Sequence, residues 1–186
     1  MYIFFDTETT LPKNWKAPVS DLDNWPRMVQ LAWIIYDELS LLKKQSFIIK
    51  PEGFEIPKES SDIHRITTEI ALQKIKLSDV LLEFQNDVNS ASVMVAHNFS
   101  FDEKIVGAEF CRQNMENIIS TKKSICTMQS STNYCQIPGN YHKRPNLTEL
   151  HQKLFASFEE AHDALVDVEA CAKCFRELRS RGVIRF

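Results

Sequence analysis

Two carboxylates stand two residues apart near the start of the chain, in Asp6-Thr7-Glu8, directly behind the apolar run Tyr2-Ile3-Phe4-Phe5. That run reads as a short strand. Side chains on a strand alternate between faces, so Asp6 and Glu8 project on the same side, about 6.6 Å apart along the strand at roughly 3.3 Å per residue. Carboxylates that close repel one another unless a cation lies between them. Hard oxygen donors of this kind suit Mg²⁺ or Mn²⁺ and not the zinc sites built from Cys and His. A solvated strand end that happens to be acidic is the competing reading of the pair taken alone.

Two acids much further along the chain favour the cation reading. Asp102 closes the run Ala96-His97-Asn98-Phe99-Ser100-Phe101-Asp102, just behind a second apolar strand candidate at 92–96. On a helix it shares a face with Ile105 and Val106, three and four positions on, which turns it towards the interior. Asp167 stands beside Ala164 and Cys171 at the margin of an apolar stripe formed by Leu165, Val168, Ala172, Phe175 and Leu178. A partly buried carboxylate is costly without a partner, and a shared metal supplies one. His162 precedes Asp167 by five residues, which on a continuous helix would set the two about 140° apart at 3.6 residues per turn. It is therefore expected to project from a loop or first turn, where a histidine, which titrates near neutral pH, can act as a general base towards water. Each of the three also has a plainer reading: Asp102 and Asp167 as helix-surface acids, His162 as an exposed helix start.

These side chains need a frame that brings them together. Strand candidates at 28–36 and 41–50, joined by a few residues, predict an antiparallel hairpin or meander behind the first strand. From about residue 66 the pattern changes. Helical spacing through Val80, Leu81, Phe84 and Val88 predicts a helix over 78–89, then come the strand at 92–96, a helix over 98–114, a short strand near 123–127 and helices near 146–155 and 160–180. A meander followed by strands interleaved with helices predicts a mixed α/β sheet with helices on its faces. Residues 11–27, with Pro12, Pro18, Pro26, Trp15 and Trp25, read as a long inserted loop, and long loops in compact domains are often functional.

At 186 residues and 44% hydrophobic, the chain is long enough for one sizeable core and short for two, so a single domain over 1–186 is expected. A formal charge of −3 excludes a strongly basic, duplex-coating protein, and any nucleic-acid binding must be local. The N-terminal apolar run has no basic stretch before it and stops at Asp6, and no apolar stretch approaches the roughly 20 residues that span a bilayer. A cytoplasmic location without a membrane partner is the expectation. The five cysteines, Cys111, Cys126, Cys135, Cys171 and Cys174, are odd in number and sit in apolar surroundings, which argues against a disulfide framework. Cys171 and Cys174 lack a second ligand pair and lie within a helical pattern, so they read as core residues in preference to zinc or redox ligands.

Taken in order, Phe5-Asp6-Thr7-Glu8-Thr9-Thr10, the segment 96–102 and His162-Asp163-Ala164-Leu165-Val166-Asp167 resemble the three exonuclease motifs of the DEDD superfamily. The histidine five residues before the last aspartate resembles the DEDDh, DnaQ-like branch, which includes the proofreading subunit of bacterial replicative DNA polymerase. Ile63-His64-Arg65-Ile66-Thr67 is similar to that family's His-x-Ile-Thr segment, and Ile125-Cys126-Thr127-Met128 to its strand after the second motif. The resemblance spans nearly the whole chain. It implies an α/β, RNase H-like fold: a five-stranded mixed sheet, second strand antiparallel, flanked by helices. It also implies a 3′-to-5′ exonuclease releasing nucleoside monophosphates from DNA, at single-stranded, frayed or mismatched ends, with two Mg²⁺ or Mn²⁺ ions as cofactors. In that scheme Asp6 bridges both ions, Glu8 and Asp167 complete the first site, Asp102 holds the second, and His162 is the general base.

The resemblance further suggests Thr9, Leu11, His64, Asn98 and Phe101 as substrate contacts, with Leu11 wedged at the last base pair and His64 and Phe101 packed on the terminal nucleotide. Leu11 stands where relatives continue with glycine, which alters a turn that normally approaches the terminal base closely. In the 11–27 loop, Lys13, Lys16, Trp15, Trp25 and Arg27 offer charge and stacking for a strand; a tryptophan-pinned surface loop is the alternative. Lys122, Lys123, Lys143 and Arg144 line a substrate path or form a solvated basic face. DNA or RNA 3′ ends are the expected partners, and a DNA polymerase is a candidate partner. No polymerase domain or clamp-binding tail is evident in the chain, which favours a free-standing nuclease. Two other readings stay open: an RNA-trimming exonuclease similar to RNase T or oligoribonuclease, and a catalytically silent nucleic-acid-binding module of the same fold.

Overall fold

The computed structural model describes residues 1–10, 16–38, 40–138, 143–156 and 162–185. Five strands, β1 (Tyr2–Thr9), β2 (Met28–Asp37), β3 (Ser40–Ile48), β4 (Val93–Ala96) and β5 (Lys123–Cys126), form one sheet in the order β3-β2-β1-β4-β5. β2 pairs antiparallel with both β1 and β3, while β1–β4 and β4–β5 pair in parallel, so β2 is the reversed strand. Around the sheet lie α1 (Lys58–His64), α2 (Thr68–Ala71), α3 (Leu77–Ser90), α4 (Phe99–Arg112), α5 (Thr127–Cys135), α6 (Leu147–Phe155) and α7 (Ala164–Ser180). The mixed sheet, the early meander and the long helices stand as the periodicity predicts.

Each sheet face has its own core. Ile3, Phe5, Leu31 and Trp33 pack with Val80, Phe84, Ile105 and Val106 of α3 and α4, whereas Phe4, Ala32, Ile34 and Val95 pack with Leu150, Val168, Phe175 and Leu178 of α6 and α7. Alternation along β1 follows from its pleat and decides where its polar end points. Asp6 and Glu8 continue the Phe4 row towards α7, and Thr7 continues the Phe5 row towards α4. β1 pairs with β4 as far as Phe4↔Val95 but with β2 through Thr9. Its last residues therefore overhang the shorter parallel strand, at the carboxyl end of the sheet where open α/β folds form their crevices.

At the sheet edge, β3 carries Leu41 and Leu42, both more than half exposed, next to two lysines. Lys43 reaches Asp87 at 2.7 Å and Glu83 at 3.2 Å on α3, and Lys44 meets Glu169 on α7.

β1 runs on through both carboxylates, as the shared face of Asp6 and Glu8 requires, because β2 supplies ladder partners along its whole length. The structure departs from the sequence reading in two places. α7 begins at Ala164 and not near 160. Helices α1, α2 and α5 were not expected. α5 buries Thr127, Ser131 and Cys135 at helical spacing, a stripe of small polar residues that hydrophobic periodicity does not register.

The inserted loop is partly described. Trp25 is 3% exposed, donates its Nε1 hydrogen to Pro18 O at 2.8 Å and lies under Lys104. Arg112 of α4 donates to Leu22 O at 2.5 Å and Trp25 O at 2.7 Å. Fully buried Glu109 accepts hydrogen bonds at 3.0 Å from Arg27 Nε and Met28 N, and pairs with Arg112 at 3.0 Å. Arg27 also stacks on Phe54 at 4.4 Å. Of the two readings of this loop, the tryptophan-pinned one holds at Trp25: its ring is core and offers no stacking platform, and with Arg27 it fastens the loop to α4. Lys16 is exposed, while Leu11, Lys13 and Trp15 lie outside the described residues.

The cysteines are free, with Cys135, Cys171 and Cys174 buried. Among the described residues no helix is long and apolar enough to cross a membrane.

Candidate active site

The overhanging end of β1 meets the first turn of α7. There Asp6, Glu8 and Asp167 each offer a carboxylate oxygen, and these atoms lie within 4.8 Å of one another. All three residues are half-buried. Buried Gln30, the cross-strand partner of Glu8, docks the start of α7: its Oε1 accepts from Ala164 N at 3.3 Å, and its Nε2 donates to Asp163 Oδ2 at 3.4 Å and Ser46 Oγ at 3.1 Å. Asp163 caps the helix by accepting from Leu165 N at 2.9 Å.

Asp102 approaches from the other side of the sheet. It is 2% exposed in the first turn of α4 and accepts a 2.8 Å hydrogen bond from the Thr7 hydroxyl, so the residue between the two β1 acids anchors the fourth acid of the site. Asn98 makes the turn into α4 with φ of 67°, a left-handed conformation that asparagine tolerates.

The electrostatics reflect this crowding. Burial pushes the Asp6 carboxyl well above the ordinary 3.8, and Asp102, Asp167, Glu8 and Asp163 push it further the same way. Glu8 rises to about 8, by burial and then by Asp167, Asp102 and Asp163. Burial raises Asp102 to about 7 against the opposing pull of Thr7, with Asp167 adding to the rise. A group of carboxylates that resists ionisation together, with hard oxygen atoms converging from β1 and α7, is a donor set that fits Mg²⁺ or Mn²⁺.

A stability prediction follows from these displacements. Glu8 and Asp102 ordinarily titrate at 4.5 and 3.8, so between about pH 4 and pH 8 the metal-free folded state retains protons that the unfolded chain has released. Stability therefore falls as pH rises through that window. The metal-free protein is expected to melt on the order of 10 °C lower at pH 8 than at pH 5, at roughly 2–4 °C per kcal/mol for a chain of this size. Mn²⁺ should restore most of the difference at pH 8 and little at pH 5. Thermal melts across pH, with and without Mn²⁺, check this; a flat profile would contradict a shared field among the acids.

His162 lies just before α7 with φ of 44°, outside the helix as its spacing from Asp167 predicts. It is half-buried and close enough to His64 to help lower that ring's pKa, an effect due first to burial. His64 itself is 5% exposed; its Nδ1 accepts from Ile66 N at 3.1 Å, which leaves its proton on Nε2, and the ring lies against the Thr9 backbone. Thr9, Asn98 and Phe101 are half-buried. Of the basic residues, Lys122 donates to Asn89 O and Ala91 O, Lys143 pairs with Glu149, and Lys123 and Arg144 are exposed.

Sequence reasoning missed Asp163, Gln30 and Thr7. Asp163 carried a usable signal, an aspartate directly before an apolar helical stripe. Gln30 and Thr7 carried none.

The exonuclease family model RNase_T matches residues 3–175. A DNA polymerase III subunit epsilon from Treponema pallidum (strain Nichols) is 24% identical over 171 residues, covering 92% of this chain and 73% of that protein. Among solved structures, Exonuclease X in complex with 5′ overhanging duplex DNA aligns with a TM-score of 0.67 at 21% identity, over 98% of this chain and 93% of that one. A 3′-exonuclease in a study of histone mRNA stem-loop recognition aligns with a TM-score of 0.77 at 14% identity, over 98% and 82%. At these identities the two structures speak to the fold, which is RNase H-like.

Proposed function

This chain belongs to the RNase_T exonuclease family, and from that premise we propose that it is a 3′-to-5′ exonuclease that shortens DNA from single-stranded, frayed or mismatched ends. The observation that carries the reading is the convergence of Asp6, Glu8 and Asp167 within 4.8 Å. These three acids and Asp102 are the residues that would hold two divalent cations, Mg²⁺ or Mn²⁺. Such cations supply charge stabilisation for the attacking and leaving oxygens of an in-line displacement. His162 accepts the proton of the attacking water at an imidazole nitrogen. The water oxygen bonds to phosphorus, the bond to the 3′ oxygen of the next nucleotide breaks, that oxygen takes up a proton from solvent, and a nucleoside 5′-monophosphate leaves behind a shortened strand with a 3′-hydroxyl. His64 and Thr9, which touch, together with Asn98 and Phe101, flank the end nucleotide.

DNA is favoured over RNA because the relative that covers most of its own length is named as a DNA polymerase III subunit, which also makes a polymerase the candidate partner. An RNA-trimming activity is the second reading, favoured by the likeness to the 3′-exonuclease of the histone mRNA stem-loop study.

Incubation with 3′-labelled and 5′-labelled strands plus Mn²⁺ should release labelled mononucleotide at once from the 3′-labelled strand and shorten the 5′-labelled strand stepwise. Run side by side on single-stranded DNA, 3′-mismatched duplex and RNA, the assay also ranks substrates. Internal cuts first, or no product on any of the three, would defeat the proposal.

A further inference from the structure

Under the acidic cluster runs a chain of hydrogen bonds that joins three elements. His97, the residue before the left-handed Asn98, places its Nε2 3.1 Å from Pro145 O and its Nδ1 3.0 Å from Thr127 Oγ1. Thr127, fully buried at the start of α5, lies 3.7 Å from Cys171 Sγ, itself buried on α7. Cys171 follows Asp167 by four residues, one helical turn, on the same face.

Donor and acceptor chemistry sets the direction of this chain. A carbonyl oxygen only accepts, so Nε2 carries the proton that faces Pro145. Burial draws the His97 pKa down to about 4, so the ring is neutral and Nδ1 accepts. The Thr127 hydroxyl must then donate to Nδ1; its 3.4 Å approach to Ala96 O competes for the same hydrogen and is the poorer geometry. With that hydrogen committed, Thr127 accepts from the Cys171 thiol, which burial keeps protonated. Cys171 to Thr127 to His97 to Pro145 is thus a one-way sequence of donors.

We infer that His97, held as the neutral Nε2–H tautomer by Pro145 and Thr127, is a positioning residue that keeps the Asp102 end of α4 in register with the Asp167 end of α7. The inference rests on the reading of those acids as a cation site. Both ring nitrogens of His97 are taken up by Thr127 and Pro145, so it acts through its neighbours: it fixes the turn that launches α4, and through Thr127 it fixes the helix face one turn beyond Asp167. Pro145 extends the tie to the residue before Asn146, the capping residue of α6.

Two measurements test it. Nitrogen NMR of the His97 ring in the whole metal-free protein should show the proton on Nε2; a proton on Nδ1, or a charged ring at neutral pH, overturns the inference. Calorimetric Mn²⁺ titration and steady-state kinetics then compare Thr127→Val, which keeps the shape and removes the hydroxyl, with Thr127→Ser, which restores it. Thr127→Val should weaken Mn²⁺ binding and lower kcat by roughly 10-fold or more, in the 10–100-fold range seen when groups that orient metal ligands are removed. KM should move less, and Thr127→Ser should stay within about twofold of the parent. His97→Phe should match Thr127→Val, and the double variant should be no worse than either, as for members of one network. Thr127→Val with parental affinity and kcat, or Thr127→Ser as impaired as Thr127→Val, would overturn the role of the hydroxyl while leaving the cation site intact. A parent protein that bound no Mn²⁺, or bound it equally well after Asp6→Asn, would overturn the cation site and the positioning role together.

Discussion

Asp6→Asn is expected to lower kcat by on the order of 10³-fold while making the metal-free protein more heat-stable. Asp6 is the residue on which the other charges converge: Asp102, Asp167, Glu8 and Asp163 all act on its carboxyl, and burial adds to their effect. An amide of the same shape removes the central negative charge. Several kcal/mol of transition-state stabilisation depend on cations held at such a site, and each 1.36 kcal/mol is a factor of ten in rate. The same change relieves repulsion in the absence of cations, so the melting point at pH 8 should rise without metal and gain little when Mn²⁺ is added. Opposite signs in the two measurements separate this outcome from simple damage to the fold. More than about a tenth of parental activity in Asp6→Asn would show that this carboxylate is not central to the site.

His162→Ala is expected to cost 10²–10⁴-fold in kcat, the range for loss of a general base, with Mn²⁺ affinity within about twofold of the parent. The backbone at His162 is left-handed, with φ of 44°, so alanine introduces local strain as well as removing the imidazole. His162→Asn is the control, because asparagine tolerates that conformation and is no base. Equal losses in the two variants assign the effect to proton transfer. Recovery of the rate in His162→Asn would assign it to the backbone, and another base would have to be sought.

Much of this site was legible in the amino-acid order because its parts obey local rules. Asp6 and Glu8 share a face through strand alternation, Asp102 and Asp167 lie on apolar helix faces, and the five-residue offset of His162 excludes it from the helix that carries Asp167. What escaped depends on packing between distant segments. Gln30 reads as an ordinary polar residue in a strand until α7 docks on it across more than a hundred residues, and the bond from Thr7 to Asp102 spans a similar separation. α5 escaped for a different reason: its buried side chains, Thr127, Ser131 and Cys135, make their contacts without the large apolar groups that periodicity detects. Trp25 stayed open between two readings because an indole in a proline-containing loop serves equally well as a solvent-facing platform or as an anchor. The choice is made by Arg112 of α4, which captures the carbonyls around it.

The edge strand bears on how folded molecules behave in a crowd. A free row of backbone donors and acceptors invites a second molecule to extend the sheet, and the exposed Leu41 and Leu42 would reward that encounter. Lys43 and Lys44 follow directly, one held to each neighbouring helix and both partly solvent-exposed. Aligning two such borders would force ammonium groups against ammonium groups, so these lysines act as gatekeepers that disfavour edge-to-edge aggregation.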